Sequence, residues 1–302
     1  MSTSPAKAEI PPQYEKYEQE VTVAVVNFSP VWGDKEANLE KMEKFITEAA
    51  GKGANIIIFS EMALQGYLSE PKDPGGMQQR LAETIPGPST LRLAESAAKH
   101  DIYIIVGMSE RDKGSSTIVY NSAAVIAPEG VLGSYRKVHP WESELVWCNK
   151  GSEFPIWETR YGPIGVIICY DIYFIPEEAR IYAIKGARLL ACCTAAPSEP
   201  GREVVTCEET ANILKTRSLE NLLFVANAGT IEKHFDKIIA GNSVILGPNL
   251  ESPRPVHFYA GPPADPMKEE LFMATLDFRQ IHKARSIMPS ARRPELYGLL
   301  TT

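Results

Sequence analysis

The chain lacks most of what would tie it to a bilayer, a nucleic acid or an oxidising compartment. No apolar run approaches the roughly 18 residues of a membrane-spanning helix, and the first 20 residues have no apolar centre of the kind a signal peptide carries. A cytoplasmic protein is expected. Lys and Arg number 31 against 38 Asp and Glu, a net charge of −7, so there is no basic excess to hold phosphate backbones or anionic lipid. Neither nucleic acid nor membrane is therefore expected as a partner, and a small solute is. Cysteines are few, five in 302 residues, odd in number and scattered, which argues against a disulfide framework and for reduced thiols. His139, Glu142 and Cys148 could in principle bind zinc, but their spacing matches no standard ligand pattern, so no metal is expected. Neither an internal repeat nor a linker divides the chain.

What is present is apolar and patterned for an α/β fold. With 44% hydrophobic residues the chain can bury a large core. Residues 21–302 read as one domain behind a polar N-terminal arm, residues 1–20, expected to be flexible or to embrace a partner. Short β-branched runs alternate with amphipathic stretches. Residues 21–28 read as a first strand, and Asp34 caps a helix whose Leu39, Met42, Ile46 and Ala49 share a face until Gly51 stops it. A second strand is expected at 56–60, then a Pro/Gly-rich loop from 71 to 88, a helix capped by Ser89, and a strand at 102–108. Residues 119–137 form a hairpin around Pro128-Glu129-Gly130, so not every neighbouring pair of strands can be parallel. Helices follow at 176–185 and 207–220, and strands at 187–193, 222–226, 243–246 and 271–277.

Three strands deliver reactive side chains at their ends. Gly165-Val166-Ile167-Ile168 leads into Cys169, residues 55–60 lead into Glu61, and residues 133–136 lead into Lys137. A free thiol with a pKa near 8.5 is mostly protonated at neutral pH, so a nucleophilic cysteine needs a base or a cation. Glu61 can take the proton and later return it to a departing amine. Lys137 can steady the charge that develops on a carbonyl oxygen, where one positioned donor is worth about 3 kcal/mol. Such chemistry requires no metal or organic cofactor. Taken alone, Cys169 would be a small buried hydrophobe, Glu61 a turn cap and Lys137 a solvated hairpin end. A Cys169–His139 dyad is chemically possible, and Cys192-Cys193 reads as core strand rather than a redox pair.

The segments Ser60-Glu61-Met62-Ala63-Leu64-Gln65-Gly66-Tyr67, Tyr135-Arg136-Lys137-Val138-His139 and Gly165-Val166-Ile167-Ile168-Cys169-Tyr170-Asp171 resemble, in order and spacing, the Glu, Lys and Cys signatures of the nitrilase superfamily of carbon-nitrogen hydrolases. The likeness runs from about Val21 to Tyr297. It implies a four-layer α-β-β-α sandwich that pairs into a homodimer or a higher homo-oligomer. It also implies hydrolysis of non-peptide C–N bonds through a Cys169 thioester, with Glu61 as base and acid and Lys137 stabilising the tetrahedral intermediate. A second glutamate often completes such sites; Glu144 fits it, with Trp147 and Gly151 at the family's offsets, and Glu142 is its rival. Tyr170-Asp171 is more similar to amidases than to nitrilases, which usually place Trp-Glu there. Ile172-Tyr173-Phe174-Ile175 stands where carbamoylases often carry arginines, and suggests a neutral or hydrophobic acyl group. Arg180 could pair with a substrate carboxylate, or with Asp171 or Glu178. The expected reaction takes a small amide and water to carboxylic acid and ammonia, with Tyr67, Trp141, Tyr170, Tyr173 and Ala195 against the substrate. Nitrile and N-carbamoyl substrates are the enzymatic alternatives. A catalytically silent scaffold is the non-enzymatic one.

Overall fold

The 21–28 run is apolar at nearly every position because both faces of its strand are covered. In the computed structural model, which describes residues 10–249, 256–287 and 292–301, it forms β1 (Glu20–Asn27). Val21, Val23 and Val25 turn into one core while Ala24 and Val26 turn into another, as the two-residue period of a strand requires. α1 (Lys35–Gly51) follows, with the Asp34 carboxylate accepting the Ala37 N–H at its cap. The first half continues with β2 (Ile56–Ile58), α2 (Gly76–Leu81), α3 (Pro88–His100), β3 (Tyr103–Arg111), β4 (Val119–Ala127) and β5 (Gly130–Arg136). Next come β6 (Ile156–Thr159), β7 (Gly162–Ile168), α4 (Tyr170–Phe174), α5 (Pro176–Ile184), β8 (Leu189–Thr194), β9 (Ala196–Ser198) and α6 (Glu203–Asn221). The chain closes with β10 (Phe224–Gly229), β11 (Glu232–His234), β12 (Lys237–Ala240), β13 (Val244–Pro248), β14 (Val256–Ala260), β15 (Glu270–Asp277) and α7 (Arg279–Ile287).

Two six-stranded mixed sheets stack face to face. The first runs β15-β1-β2-β3-β4-β5 and the second β14-β13-β10-β8-β7-β6, each parallel only through its three central strands. Val23, Val25, Ile56, Ile58 and Ile105 of the first meet Ile164, Val166, Ile168, Leu189 and Phe224 of the second in a continuous core. The other face of the first sheet, through Ile57, Ile104 and Val106, is covered by Met42 and Ile46 of α1 and Leu93 of α3. α5 and α6 cover the second sheet, Tyr182 donating its hydroxyl to the Val166 carbonyl at 2.7 Å and Leu214 joining the core. This is a four-layer α-β-β-α sandwich, and it brings the C-terminal ends of β2 and β7 and the end of β5 to one region.

Several boundaries differ from the sequence reading. Ser89 does not cap α3: Gly87 is the N-cap, Pro88 opens the first turn, and Ser89 gives its N–H and hydroxyl to Glu83. The 71–88 loop contains α2, entered through a left-handed Gly75 (φ 73°). Leu222 is the left-handed cap of α6 (φ 50°), and β10 starts two residues later. β6, β9, β11, β12 and β14 have three to five residues each, too short for an apolar period to stand out. Residues 10–19 of the polar lead-in lie against their own chain: the Tyr14 hydroxyl donates to the Gly186 carbonyl at 3.3 Å and Arg188 donates to the Gln19 side chain. Residues 1–9 of that arm fall outside the described residues. Among the described residues no helix is long and apolar enough to cross a membrane.

Candidate active site

Where β7 ends, the chain turns so sharply that Cys169 adopts φ 44°, ψ −100°, a conformation that costs a side-chain-bearing residue about 1–3 kcal/mol and persists only when its surroundings hold it. The Cys169 N–H is tied to the Cys193 carbonyl at 3.0 Å, and the Cys169 carbonyl accepts from Ile172 and Tyr173 to start α4. The buried thiol lies 3.3 Å from the Ala195 carbonyl. Glu61 leaves the end of β2 on a turn pressed against β3. A Cβ at Gly107 would stand 2.4 Å from the Ser60 carbonyl oxygen and 2.7 Å from the Glu61 Cα, so only glycine allows this approach. The Thr230 hydroxyl fixes the Glu61 carbonyl at 2.7 Å. Lys137 follows β5 directly, its N–H donating to the Asn121 carbonyl at 2.8 Å.

The Glu61 and Lys137 side chains meet in one array with Glu144 and Asn121. Lys137 Nζ donates to Glu61 Oε1 and to Glu144 Oε1, both at 2.8 Å, with all three side chains fully shielded from solvent. Asn121 Nδ2 donates to the same two oxygens at 2.8 and 3.0 Å. Glu144 Oε2 accepts the Trp141 N–H at 2.6 Å. The loop carrying Glu144 can lie against β5 because Gly151 passes where a Cβ would stand 2.1 Å from the Arg136 carbonyl oxygen. Glu142 is exposed and stands apart. Glu61 Oε2 is buried and has no hydrogen-bond partner among the described residues.

Burial dominates the electrostatics. It pushes the Glu61 carboxyl up to about 8, against the pull of Lys137. It works against the Lys137 charge, yet Glu144 and Glu61 together overrule it and hold the ammonium well above its ordinary pKa. Burial, joined by Glu61, keeps the Cys169 thiol well above the usual range despite Lys137. The resting site is thus a protonated thiol and a permanent ammonium beside a carboxyl whose proton affinity lies near neutral pH, a set able to pass one proton internally.

A cavity of about 390 Å³ opens onto Cys169, and Tyr67, Trp141, Tyr170, Tyr173 and Ala195 all line it, with Phe174 from α4 and Thr206, Glu209 and Thr210 from α6. Trp141, Tyr170 and Phe174 form a chain of rings with centroids 5.1 and 4.9 Å apart. From residues 172–175, Tyr173 and Phe174 reach the cavity, whereas Ile172 is buried in the core around the second sheet. Arg180 does not line it. Nor does Arg180 partner Asp171 or Glu178, which are held by Tyr135 and His139. Cys148 packs with Met62, Val119 and Trp147, so His139, Glu142 and Cys148 do not converge. Cys192 and Cys193 are core residues of β8, and all five cysteines are free.

The carbon-nitrogen hydrolase family profile matches residues 22–285. The chain belongs to the carbon-nitrogen hydrolase family. This hydrolase is 35% identical over 232 residues to a probable nitrilase of Schizosaccharomyces pombe, covering 75% of this chain and 80% of that one. It is 32% identical over 287 residues to an omega-amidase of Xenopus tropicalis, covering 90% and 94%. Its fold is similar to that of Nit3 of Saccharomyces cerevisiae, a member of the nitrilase superfamily, with a TM-score of 0.78 at 23% identity over 93% of this chain and 99% of that one.

The sequence reading gave Asn121 no role and did not single out the α6 residues that line the cavity. Asn121 is a polar residue buried in a strand of otherwise small and apolar character, and that contrast was the available signal. Thr206, Glu209 and Thr210 sit on a helix far from Cys169 in sequence with no motif to mark them; only the packing of α6 against α4, where Arg217 donates to the Ile172 and Tyr173 carbonyls at 2.9 and 3.1 Å, brings them to the cavity.

Proposed function

We propose that this carbon-nitrogen hydrolase converts a small neutral amide and water into a carboxylic acid and ammonia through a thioester on Cys169. The observation that carries the reading is the buried, partnerless Glu61 Oε2 in the array around Lys137, within electrostatic reach of Cys169. Glu61 takes the thiol proton as sulfur attacks the amide carbon, and the negative charge that develops on the carbonyl oxygen meets the Lys137 ammonium. Glu144 and Asn121 keep that ammonium and the Glu61 carboxylate in place. The tetrahedral adduct collapses as the amine leaves with the proton held by Glu61, giving ammonia and the Cys169 thioester. Glu61 then deprotonates a water that attacks the thioester, and the thiol leaves with its hydrogen restored. Because the thiol is held protonated by burial, sulfur attack and proton transfer to Glu61 have to proceed together.

The cavity supports a neutral acyl group. Its walls are aromatic and aliphatic with two threonine hydroxyls; among the described residues no Lys, Arg or His lines it, and the charged lining side chain is Glu209, which lies 3.9 Å from Arg202 beside the cavity. A substrate carboxylate would find no cation among the described lining residues, since Arg202 stands outside them and already faces Glu209. Similarity to an omega-amidase and Tyr170-Asp171 after the nucleophile favour an amide over a nitrile. The test is a panel of matched amide, nitrile and N-carbamoyl forms of one acyl group, scored by ammonia release and by the mass of trapped acyl-enzyme. Amide turnover with a mass adduct absent from a folded Cys169→Ala variant is expected. Preferential nitrile or carbamoyl turnover would overturn the substrate assignment, and ammonia release by Cys169→Ala would overturn the mechanism.

A further inference from the structure

The two principal groups of the site are flanked by a second cluster, buried except for the half-exposed His139 side chain. Tyr135 and His139 bracket Lys137 at the end of β5, and Asp171 and Glu178 follow Cys169 on α4 and α5. Tyr135 Oη lies 2.7 Å from Asp171 Oδ2 and 3.1 Å from Glu178 Oε2. His139 Nδ1 lies 2.6 Å from Glu178 Oε1 and 3.1 Å from Asp171 Oδ1, which also accepts the His139 main-chain N–H at 2.9 Å. Tyr135, Asp171 and Glu178 are fully buried.

Counting hydrogens decides the state of this cluster. A phenol has one hydrogen and Nδ1 of an imidazole at most one, yet Tyr135 and His139 each approach two carboxylate oxygens. The Nδ1–H can be shared between Glu178 Oε1 and Asp171 Oδ1. The phenol hydrogen goes to the shorter contact, Asp171 Oδ2. At Glu178 Oε2, 3.1 Å away, lone pairs would then face lone pairs unless that oxygen carries a hydrogen of its own. Two ionised carboxylates shut away from water around one phenol would leave one buried negative charge beyond what the single, half-exposed His139 cation offsets, which is unfavourable.

We propose that Glu178 is a neutral carboxylic acid whose O–H donates to Tyr135 Oη, and that this proton clips the Lys137 end of β5 to the Cys169 turn. Glu178 and His139 are positioning residues, since they act through the strand and helix that carry Lys137 and Cys169. Burial, with Asp171 adding to it, pushes the Glu178 carboxyl up to about 8. His139 is held protonated more strongly than usual by its hydrogen bond to Asp171. The other titratable groups packed around the cluster are Tyr135 itself, Tyr182 of α5 and Cys192 of β8, all pushed upward by burial and neutral throughout the working range. Above about pH 8 the clip proton leaves, the Tyr135–Glu178 contact becomes repulsive, and the Lys137–Cys169 geometry loosens. The kinetic consequence rests on the amide-hydrolysis reading; the protonation state does not.

The experiment compares wild type, Glu178→Ala and Glu178→Gln, whose amide N–H2 can replace the carboxyl hydrogen. Because Glu61 ionises in the same range in both proteins, the wild-type kcat is read relative to Glu178→Gln, and that ratio is expected to fall about thirtyfold by about pH 9.5, the population left when a group near 8 titrates. Glu178→Ala should lower kcat more than about tenfold with KM within about twofold, and Glu178→Gln should restore the neutral-pH rate to within about threefold while abolishing the alkaline fall. Infrared spectroscopy supplies a readout independent of turnover: a protonated-carboxyl carbonyl band at pH 7 that titrates away in wild type and is missing in Glu178→Gln. An unchanged alkaline limb in Glu178→Gln, or the absence of any band difference, would overturn the proposal even if Glu178→Ala fails to fold. The His139, Asp171 and Glu178 ligand atoms lie within 4.8 Å of one another, so zinc binding at one equivalent that is lost in His139→Asn would also overturn it, by replacing the proton with a cation. If wild type releases no ammonia from any amide, the substrate reading fails and the infrared arm alone decides the clip.

Discussion

Replacing Lys137 with methionine removes one ammonium while keeping the length and packing of the side chain, and the structure sets the size of the response. Nζ is the shared donor to Glu61 Oε1 and Glu144 Oε1 at 2.8 Å in a site closed to solvent. Removing one member of a buried charge set costs about 3–5 kcal/mol when the remaining charge stays unpaired. Here one of the two carboxylates can take up a proton, which holds the loss to the lower end of that range. Against a total stability of about 5–15 kcal/mol the variant should fold, with Tm lowered by roughly 5–10 °C. Activity should suffer more. Loss of one donor to the developing oxyanion lowers kcat by about 10²–10³, and a proton retained on Glu61 also removes the base, so a kcat loss of at least about 10³ is expected. The ground-state amide is neutral and gains little from the ammonium, so KM should stay within about threefold. Steady-state ammonia release at saturating amide, alongside a thermal melt, measures both. A folded variant with raised KM and intact kcat, or with a kcat loss below about tenfold, would refute the assignment of Lys137 to the transition state.

Asn121→Leu removes the N–H2 group that donates to both carboxylates at 2.8 and 3.0 Å; hydrogen bonds to charged groups are worth about 1.5–3 kcal/mol, so kcat should drop about tenfold to a hundredfold, and a pure KM change would place Asn121 against the substrate instead. Glu232 accepts the Tyr67 and Leu68 N–H groups at 2.7 and 3.1 Å, and burial pushes its carboxyl up to about 7. Because that value lies above the unfolded one near 4.5, its contribution is fully present below about pH 4.5 and is lost as pH rises towards 7, on the order of 3 kcal/mol. Urea unfolding across this window should show that slope in wild type and a flatter one in Glu232→Gln; equal slopes would remove Glu232 from the pH dependence. Glu209→Lys reverses the charged side chain that lines the cavity among the described residues, so KM for an amide with a terminal carboxylate should fall about tenfold at low salt and less at high salt. Insensitivity to acyl charge would show that the rim of α6 does not meet the acyl group.

The strand ends were legible because a short apolar run followed at once by Glu61 or Cys169 is a local pattern, and so was the α1 face of Leu39, Met42, Ile46 and Ala49. Misread elements have local causes too. The helical turns of α2 hide in a loop rich in proline and glycine, Ser89 satisfies Glu83 instead of capping its helix, and Leu222 takes a left-handed conformation its apolar character does not announce. The short strands β9, β11 and β12 pair only with one another, so no burial period marks them.

The site divides along the same line. Residue types and order alone determined that a thiol, a carboxylate and an ammonium sit at strand ends of an α/β chain, because strand periodicity and turn chemistry act over a few residues. Tertiary structure decided that Glu144 rather than Glu142 meets Lys137, that Asn121 bridges two carboxylates, that α6 lines the cavity, and that Tyr135, His139, Asp171 and Glu178 close on one another. The hydrogen bonds among them join residues up to 60 positions apart and are made as two sheets pack and exclude water. That burial, which no local pattern encodes, is also what moves the proton affinities of Glu61 and Glu178 towards neutral pH.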